Sequence, residues 1–473
     1  MRLAGQFPTA RATTFVLAAA LAAAALVPAK APAETRVPES AAEMRLGFAP
    51  VVRRAAPAVV NIYARREVSR PSPFADDPFF SQFFREFGAP RPEVENALGS
   101  GVILSPEGIV VSNYHVVGGA REIRVVLADR REYDAEILMG DADSDLAVLR
   151  LRGAEGLPAL ELADSDAVEV GDLVLAIGNP FGIGQTVSSG IISGLARAGL
   201  AALGPRSYFI QTDAAINPGN SGGARVDMAG RLVGVNTAIL SRSGGSQGVG
   251  LAIPANLVAR FVAQAEGGAT RFTRPWAGVA GQTVGADLLD GLGLARPQGV
   301  ILAEIHPESP FAKAGLRLGD VVLALDGQEV NAPAEMLFRM TVIGVGNAAR
   351  VSYLRAGERR EAAITLTAPP EVPPRDPVTI GGRGPLRGLG AVNINPGVAL
   401  EYDLPADIRG VVVTALQDTS ARLGLLPGDV ILAINGIAVD STRTLERVAG
   451  MRERFWEIDL VREGRRSVLR FRL

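Results

Sequence analysis

Cysteine is absent from the 473 residues. Its absence excludes disulfide staples, thiolate nucleophiles and thiolate-ligated zinc. It leaves the compartment open, because a domain of ordinary size can do without staples. Histidine occurs only as His115 and His306, so a histidine-based metal site is not expected, and no cofactor is called for. Lysine is equally scarce, occurring only as Lys30 and Lys313, and arginine carries the positive charge. A net charge of −2 gives no large attraction to nucleic acid. Beyond the N-terminus no apolar run is long enough to span a bilayer. What remains is 48% apolar and 21% charged, ordinary for packed soluble domains, and the length suggests about three of them.

The N-terminus has an address. Arg2 and Arg11 precede an apolar run from Phe15 to Val27, and Ala31-Pro32-Ala33 supplies small residues before Glu34. This order of charge, apolar run and small residues is that of a secretory signal peptide, expected over residues 1–33, which places the mature protein outside the cytoplasm. Residues 34 to about 50 read as a leader.

From Val59 the chain reads as short strands broken by turns: Val59–Tyr63, Gly101–Leu104, Ile109–Ser112, Ile123–Leu127, Leu146–Leu151, Leu173–Ile177 and Leu232–Asn236. This spacing predicts a β-barrel or sandwich. Residues 65–96 interrupt it with a Pro-, Phe- and Asp-rich insertion, read as a docking or regulatory loop. Leu257, Val258, Phe261, Val262 and Ala265 share one face of a helix predicted over Pro254–Glu266, and Gly267-Gly268 ends it. The first domain therefore spans residues 45–268.

An internal repeat follows. The segment from Gly315 to Gly327 recurs from Gly424 to Gly436, each copy after an apolar strand (Gly299–Ile305, Gly410–Leu416) and before a helix-like stretch (near Ala334–Met340 and Thr442–Met451). Pro369–Pro377 links the copies. Two copies are too few for a solenoid, so two small domains are expected, over residues 274–368 and 378–473.

Three segments carry chemistry. Val111–Val117 puts His115 at the end of an apolar strand. Asp141–Leu149 places an acidic turn ahead of a buried strand, and Asn217–Gly223 sets Ser221 in a glycine-rich turn. A serine hydroxyl needs a base, imidazole is a suitable one, and the base needs a carboxylate to fix its tautomer. Asp145 is the best carboxylate because it directly precedes the strand; Asp143 and Asp141 are the alternatives. In the segment Gly219-Asn220-Ser221 the N–H groups of Gly219 and Ser221 could point at one spot, as an oxyanion hole requires. The order His, Asp, Ser differs from that of subtilisins and α/β-hydrolases, and on a β-rich background it predicts a chymotrypsin-like double barrel. The Asp141, Asp143, Asp145 spacing is not a calcium loop, because Leu146 replaces the turn glycine and Arg152 the final acid. Gly182-Ile183-Gly184 is not a nucleotide motif, since Val187 stands at the third glycine.

These segments resemble the HtrA (Do/Deg-type) family of periplasmic serine endoproteases. Phe209–Gly223, Ala176–Gly182 and Gly250–Pro254 carry the likeness, which extends over nearly the whole chain. After Gly223 the family often has Pro-Leu or Ala-Leu; here Ala224-Arg225 follows. The resemblance implies a mainly β protein, a chymotrypsin-like protease domain followed by two α+β PDZ domains. It implies His115 as base, Asp145 as its partner and Ser221 as nucleophile. It further implies trimers or larger assemblies, and activation loops matching 65–96, Leu195–Ser207, Ile216–Asn220 and Ile239–Gln247. PDZ domains bind peptide C-termini as an added strand. The matching loops are Trp276-Ala277-Gly278-Val279 and Leu389-Gly390-Ala391. His306 reads as a surface loop residue. The expected substrates are unfolded or misfolded envelope proteins. The rival readings are a holdase chaperone and a regulatory protease with one signalling target.

Overall fold

A computed structural model describes residues 47–66, 95–179, 184–198, 208–217, 219–239, 247–405 and 408–472. The signal peptide, residues 67–94 of the insertion, and residues 199–207 and 240–246 of the expected loops lie outside the described residues. No helix among the described residues is long and apolar enough to cross a membrane.

Two closed six-stranded barrels come first. One contains β1 (Val59–Arg66), β2 (Glu95–Ile103), β3 (Ile109–Ser112), β4 (Glu122–Val126), β5 (Glu132–Asp141) and β6 (Leu146–Leu151), joined in the order β1-β2-β3-β6-β5-β4. The second contains β7 (Leu173–Gly178), β8 (Thr186–Ala198), β9 (Tyr208–Thr212), β10 (Ala224–Val226), β11 (Leu232–Ile239) and β12 (Gly250–Pro254), in the order β10-β11-β12-β9-β8-β7. Two of the short apolar runs are buried on both faces. β3 is buried throughout, and β6 everywhere but Arg150. The barrels share one core with the helix α2 (Ala255–Glu266), whose Leu257, Val258, Phe261 and Ala265 are buried as their spacing predicts. A one-turn helix, α1 (Tyr114–Val117), follows β3.

Two smaller sheets follow, in the two domains for which the PDZ fold is expected. The first has β13 (Val279–Thr283), β14 (Val300–Ile305), β15 (Val321–Leu325), β16 (Gln328–Glu329), β17 (Ala348–Arg355) and β18 (Glu358–Thr365), with helix α3 (Pro333–Ile343). The second has β19 (Val378–Thr379), β20 (Leu389–Asn393), β21 (Val411–Leu416), β22 (Val430–Ile434), β23 (Ile437–Ala438), β24 (Phe455–Arg462) and β25 (Arg465–Arg472), with helix α4 (Thr442–Ala449). The repeat is a structural device. Its acid, Asp320 or Asp429, is buried and paired by Arg355 or Arg462, both nitrogens at 2.6–2.7 Å. The same guanidinium also donates to Gly315 O (2.8 Å) or Gly424 O (2.7 Å). A bidentate guanidinium gives the buried carboxylate the hydrogen bonds it would otherwise lack.

The second sheet corrects one expectation. Leu389, Gly390 and Ala391 lie inside β20, buried, rather than in a loop ahead of it. The turn is earlier, where Gly388 has a φ of +82°. β20 is also covered on both sides. Its partners are β21 and β19, and the flanking chain continues the cover through Gly388 N–H to Ile380 O (2.8 Å) and Asn393 N–H to Arg375 O (2.7 Å). A peptide adds to a sheet only at an unpaired edge, so these residues cannot take one as an added strand. β13, by contrast, pairs among the described residues with β14 alone.

The first PDZ domain is docked on the second barrel. Phe338 of α3 stacks on Tyr208 of β9, ring centroids 3.7 Å apart and planes 10° from parallel. Arg339 sits over both rings and pairs with Asp166. Arg260 of α2 donates to Val342 O and Ile343 O, carbonyls that the end of α3 leaves without a helical partner.

Candidate active site

Strand pairing brings the first two residues together. β3 and β6 run antiparallel with Ser112 opposite Ala147 and Val111 opposite Val148. The residues just after Ser112 therefore meet those just before Ala147, which places His115 beside Asp145. The turn at Asp145 is tight, with a φ of +51°, the left-handed region that aspartate tolerates better than most side chains. Asn113 Nδ2 and Tyr114 N–H hold its carbonyl at 2.9 and 3.2 Å. Its carboxylate accepts His115 N–H at 3.0 Å and faces His115 Nδ1 at 2.9 and 2.8 Å. Arg66, at the end of β1, donates to His115 O at 2.6 Å and fixes α1 from the other side.

The alternatives, Asp141 and Asp143, are engaged elsewhere. Asp141 accepts Ser144 N–H at 2.8 Å and pairs with Arg274, and Asp143 lies 3.9 Å from the same guanidinium. Arg274 belongs to the segment leading into the first PDZ domain, so both acids anchor that segment.

Ser221 comes from the second barrel, in the turn before β10. It is buried, and its Oγ donates to Thr237 O at 3.1 Å. Thr237 Oγ1 donates to Asp145 Oδ2 at 2.6 Å. This one residue of β11 thus touches both the serine and the carboxylate. Its role was not visible in the sequence, because a threonine in a strand is ordinary. Close approach of the barrels depends on glycines. A Cβ on Gly222 (φ +83°) would lie 2.1 Å from Ser100 O, and one on Gly99 would lie 2.6 Å from Val116 and 3.3 Å from Ser221 O. The N–H groups of Gly219 and Ser221 have no acceptor among the described residues.

Behind the serine, Arg225 is fully buried. Its Nε and Nη2 donate to Asn236 Oδ1 at 3.1 and 2.7 Å, and Nη1 has no partner among the described residues. Burial lowers its pKa to about 9, opposed by the charge of Asp213.

In the first PDZ domain, Trp276-Ala277-Gly278-Val279 turns into β13 at Gly278, whose φ is +62°. Ser309 Oγ donates to Ala277 O at 2.6 Å, and His306 N–H to Gly278 O at 2.8 Å. The His306 ring meets Trp276 edge-on at 5.1 Å, so this histidine buttresses the loop and stands apart from His115.

Two barrels with a His–Asp pair on one and a serine turn on the other define a trypsin-like serine peptidase. Residues 99–235 match the trypsin-like peptidase domain family and residues 278–366 match the PDZ domain family. The chain is 36% identical to a probable periplasmic serine protease do/HhoA-like of Haemophilus influenzae, over 88% of this chain and 89% of that one. It is 37% identical to a probable periplasmic serine endoprotease DegP-like of Ectopseudomonas mendocina, over 90% and 94%. Among solved structures it is similar to the HtrA-type protease AlgW with decapeptide, at 42% identity and a TM-score of 0.50, over 69% of this chain and 99% of that one. The chain belongs to the HtrA/DegP-like family of serine proteases, whose curated relatives are named periplasmic.

Proposed function

We propose that the protein is exported through its N-terminal signal and cleaves unfolded or misfolded proteins in the periplasm, working as a trimer or larger assembly. Ser221 is the nucleophile, His115 its base and Asp145 the carboxylate that orients the base. The observation that carries this reading is the hydrogen-bonded chain from His115 Nδ1 through Asp145 and Thr237 to Ser221. A carboxylate on Nδ1 keeps that nitrogen protonated, so the opposite ring nitrogen is the base. In the reaction Ser221 Oγ leaves Thr237 O, gives its proton to His115 and bonds the scissile carbonyl carbon. The carbonyl oxygen becomes the oxyanion, taken up by the N–H groups of Gly219 and Ser221. The imidazolium then protonates the leaving amine, and water repeats the sequence to release the acid.

The loop Trp276–Val279 and the open edge of β13 suit an extended peptide C-terminus. The decapeptide in the AlgW structure supports a peptide ligand for this family, and binding there is read as the regulatory input.

The test is incubation of the mature protein with reduced casein beside Ser221→Ala. Cleavage by the wild type alone, with binding by both, is expected. Binding without cleavage by either would turn the reading to a holdase, and cleavage confined to one folded target to a regulatory protease.

A further inference from the structure

Ser100 belongs to β2 of the first barrel and is fully buried. All its polar atoms are directed at the elements that carry the site. Its N–H donates to Ser221 O at 2.8 Å. Its Oγ donates to Gly219 O at 2.7 Å and accepts Asn179 N–H at 2.9 Å. Its carbonyl accepts Ser112 Oγ, at the end of the strand leading to His115, at 2.7 Å.

These bonds govern peptide planes. In a trans peptide the C=O and the following N–H point in opposite directions. Gly219 O is held by Ser100 Oγ, and the opposing Asn220 N–H donates to Asn217 O at 2.9 Å. Ser221 O is held by Ser100 N–H, and the opposing Gly222 N–H donates to Asn236 O at 2.8 Å. Between these planes, Asn220 O accepts Gly223 N–H at 2.9 Å, which turns Ser221 N–H the other way. Ser100 thus fixes the planes on both sides of one oxyanion donor. The other donor is on Gly219, whose φ of +99° and missing Cβ leave the backbone free to turn once that hold is lost.

We propose that Ser100 is a positioning residue whose hydroxyl fixes the Gly219–Asn220 peptide, and through it the backbone on which the flanking Gly219 and Ser221 N–H groups are presented to the developing oxyanion. The proposal rests on the reading of Ser221 as nucleophile.

The experiment compares the wild-type protein with Ser100→Ala and Ser100→Cys on a fluorogenic peptide, with a peptide boronic acid as the tetrahedral probe. Loss of a whole oxyanion donor costs ~10²–10³ in rate, so loss of its support is expected to lower kcat by about 10–100-fold, with KM changed less than about twofold. Boronate inhibition should weaken by the same factor. Binding of an uncleaved peptide should match between Ser221→Ala and the Ser100→Ala/Ser221→Ala double variant. Ser100→Cys, with a weak S–H donor, should fall between, and it carries the test if Ser100→Ala does not melt cooperatively. Unchanged kcat and boronate affinity in the folded variant would overturn the proposal, as would an equal loss of peptide binding, which signals general loosening. A wild type that the boronate does not inhibit, or a Ser221→Ala that still cleaves, would overturn the nucleophile reading and this proposal with it.

Discussion

Asp145 holds three hydrogen-bond donors from a left-handed backbone position, so its side chain and its main chain are both constrained. Asparagine tolerates that backbone and has almost the same shape. Its amide cannot hold His115 in the same tautomer. Asp145→Asn is therefore expected to melt like the wild type while kcat falls about 10³–10⁴-fold. A tenfold loss or less would remove Asp145 from the mechanism. Asp145 could be chosen over Asp141 and Asp143 from sequence because it abuts the buried run from Leu146 to Leu149. Thr237 could not, since its strand propensity hides its polar role. Arg225 is the opposite case: the departure from an apolar residue after Gly223-Ala224 was visible, but its burial was not. Its folded pKa is depressed below the unfolded value, so for this cation the fold pays a charging cost at neutral pH, relieved only as pH rises above about 9. Replacing both partners, Arg225→Leu with Asn236→Leu, is expected to raise unfolding stability at pH 7 by about 1–4 kcal/mol, measured by denaturant titration. A loss would mean that the bonds to Asn236 outweigh the burial.

At the scale of elements, antiparallel pairing does the positioning. β3 and β6 deliver His115 and Asp145, while β10 and β11 hold the serine turn against Thr237. The turn meets the first barrel so closely that a side chain at Gly222 has nowhere to go: its Cβ would meet backbone at 2.1 Å, from a φ of +83°. Gly222→Ala is expected to abolish cleavage and to lower the melting temperature, as followed by calorimetry. The strands were legible because short apolar runs between turn residues have few alternatives. The start of β20 was not, because five glycines between 381 and 390 spread the turn signal over ten residues. The repeat carries Asp320 and Asp429 at matching positions, but their burial was not legible, because their arginine partners lie 35 and 33 residues away, beyond the repeated stretch.

For the whole molecule, the sequence separates the domains but says nothing of their docking. Phe338 sits on a helix whose inner face builds the PDZ core, and only the structure shows its ring on Tyr208. Burial at this contact pushes the Tyr208 phenol up to about 12. Truncation by Phe338→Ala is expected to cost about 3–5 kcal/mol at the contact and to speed amide hydrogen exchange through 333–343. Unchanged exchange there would show that the docking contributes little. The proposed activity stands on an activated Ser221. The direct measurement is labelling of the folded full-length protein with a fluorophosphonate, followed by peptide mapping. A single adduct on Ser221, lost in His115→Ala, is the predicted result. An adduct on another residue, or equal labelling of Ser221 without His115, would contradict it.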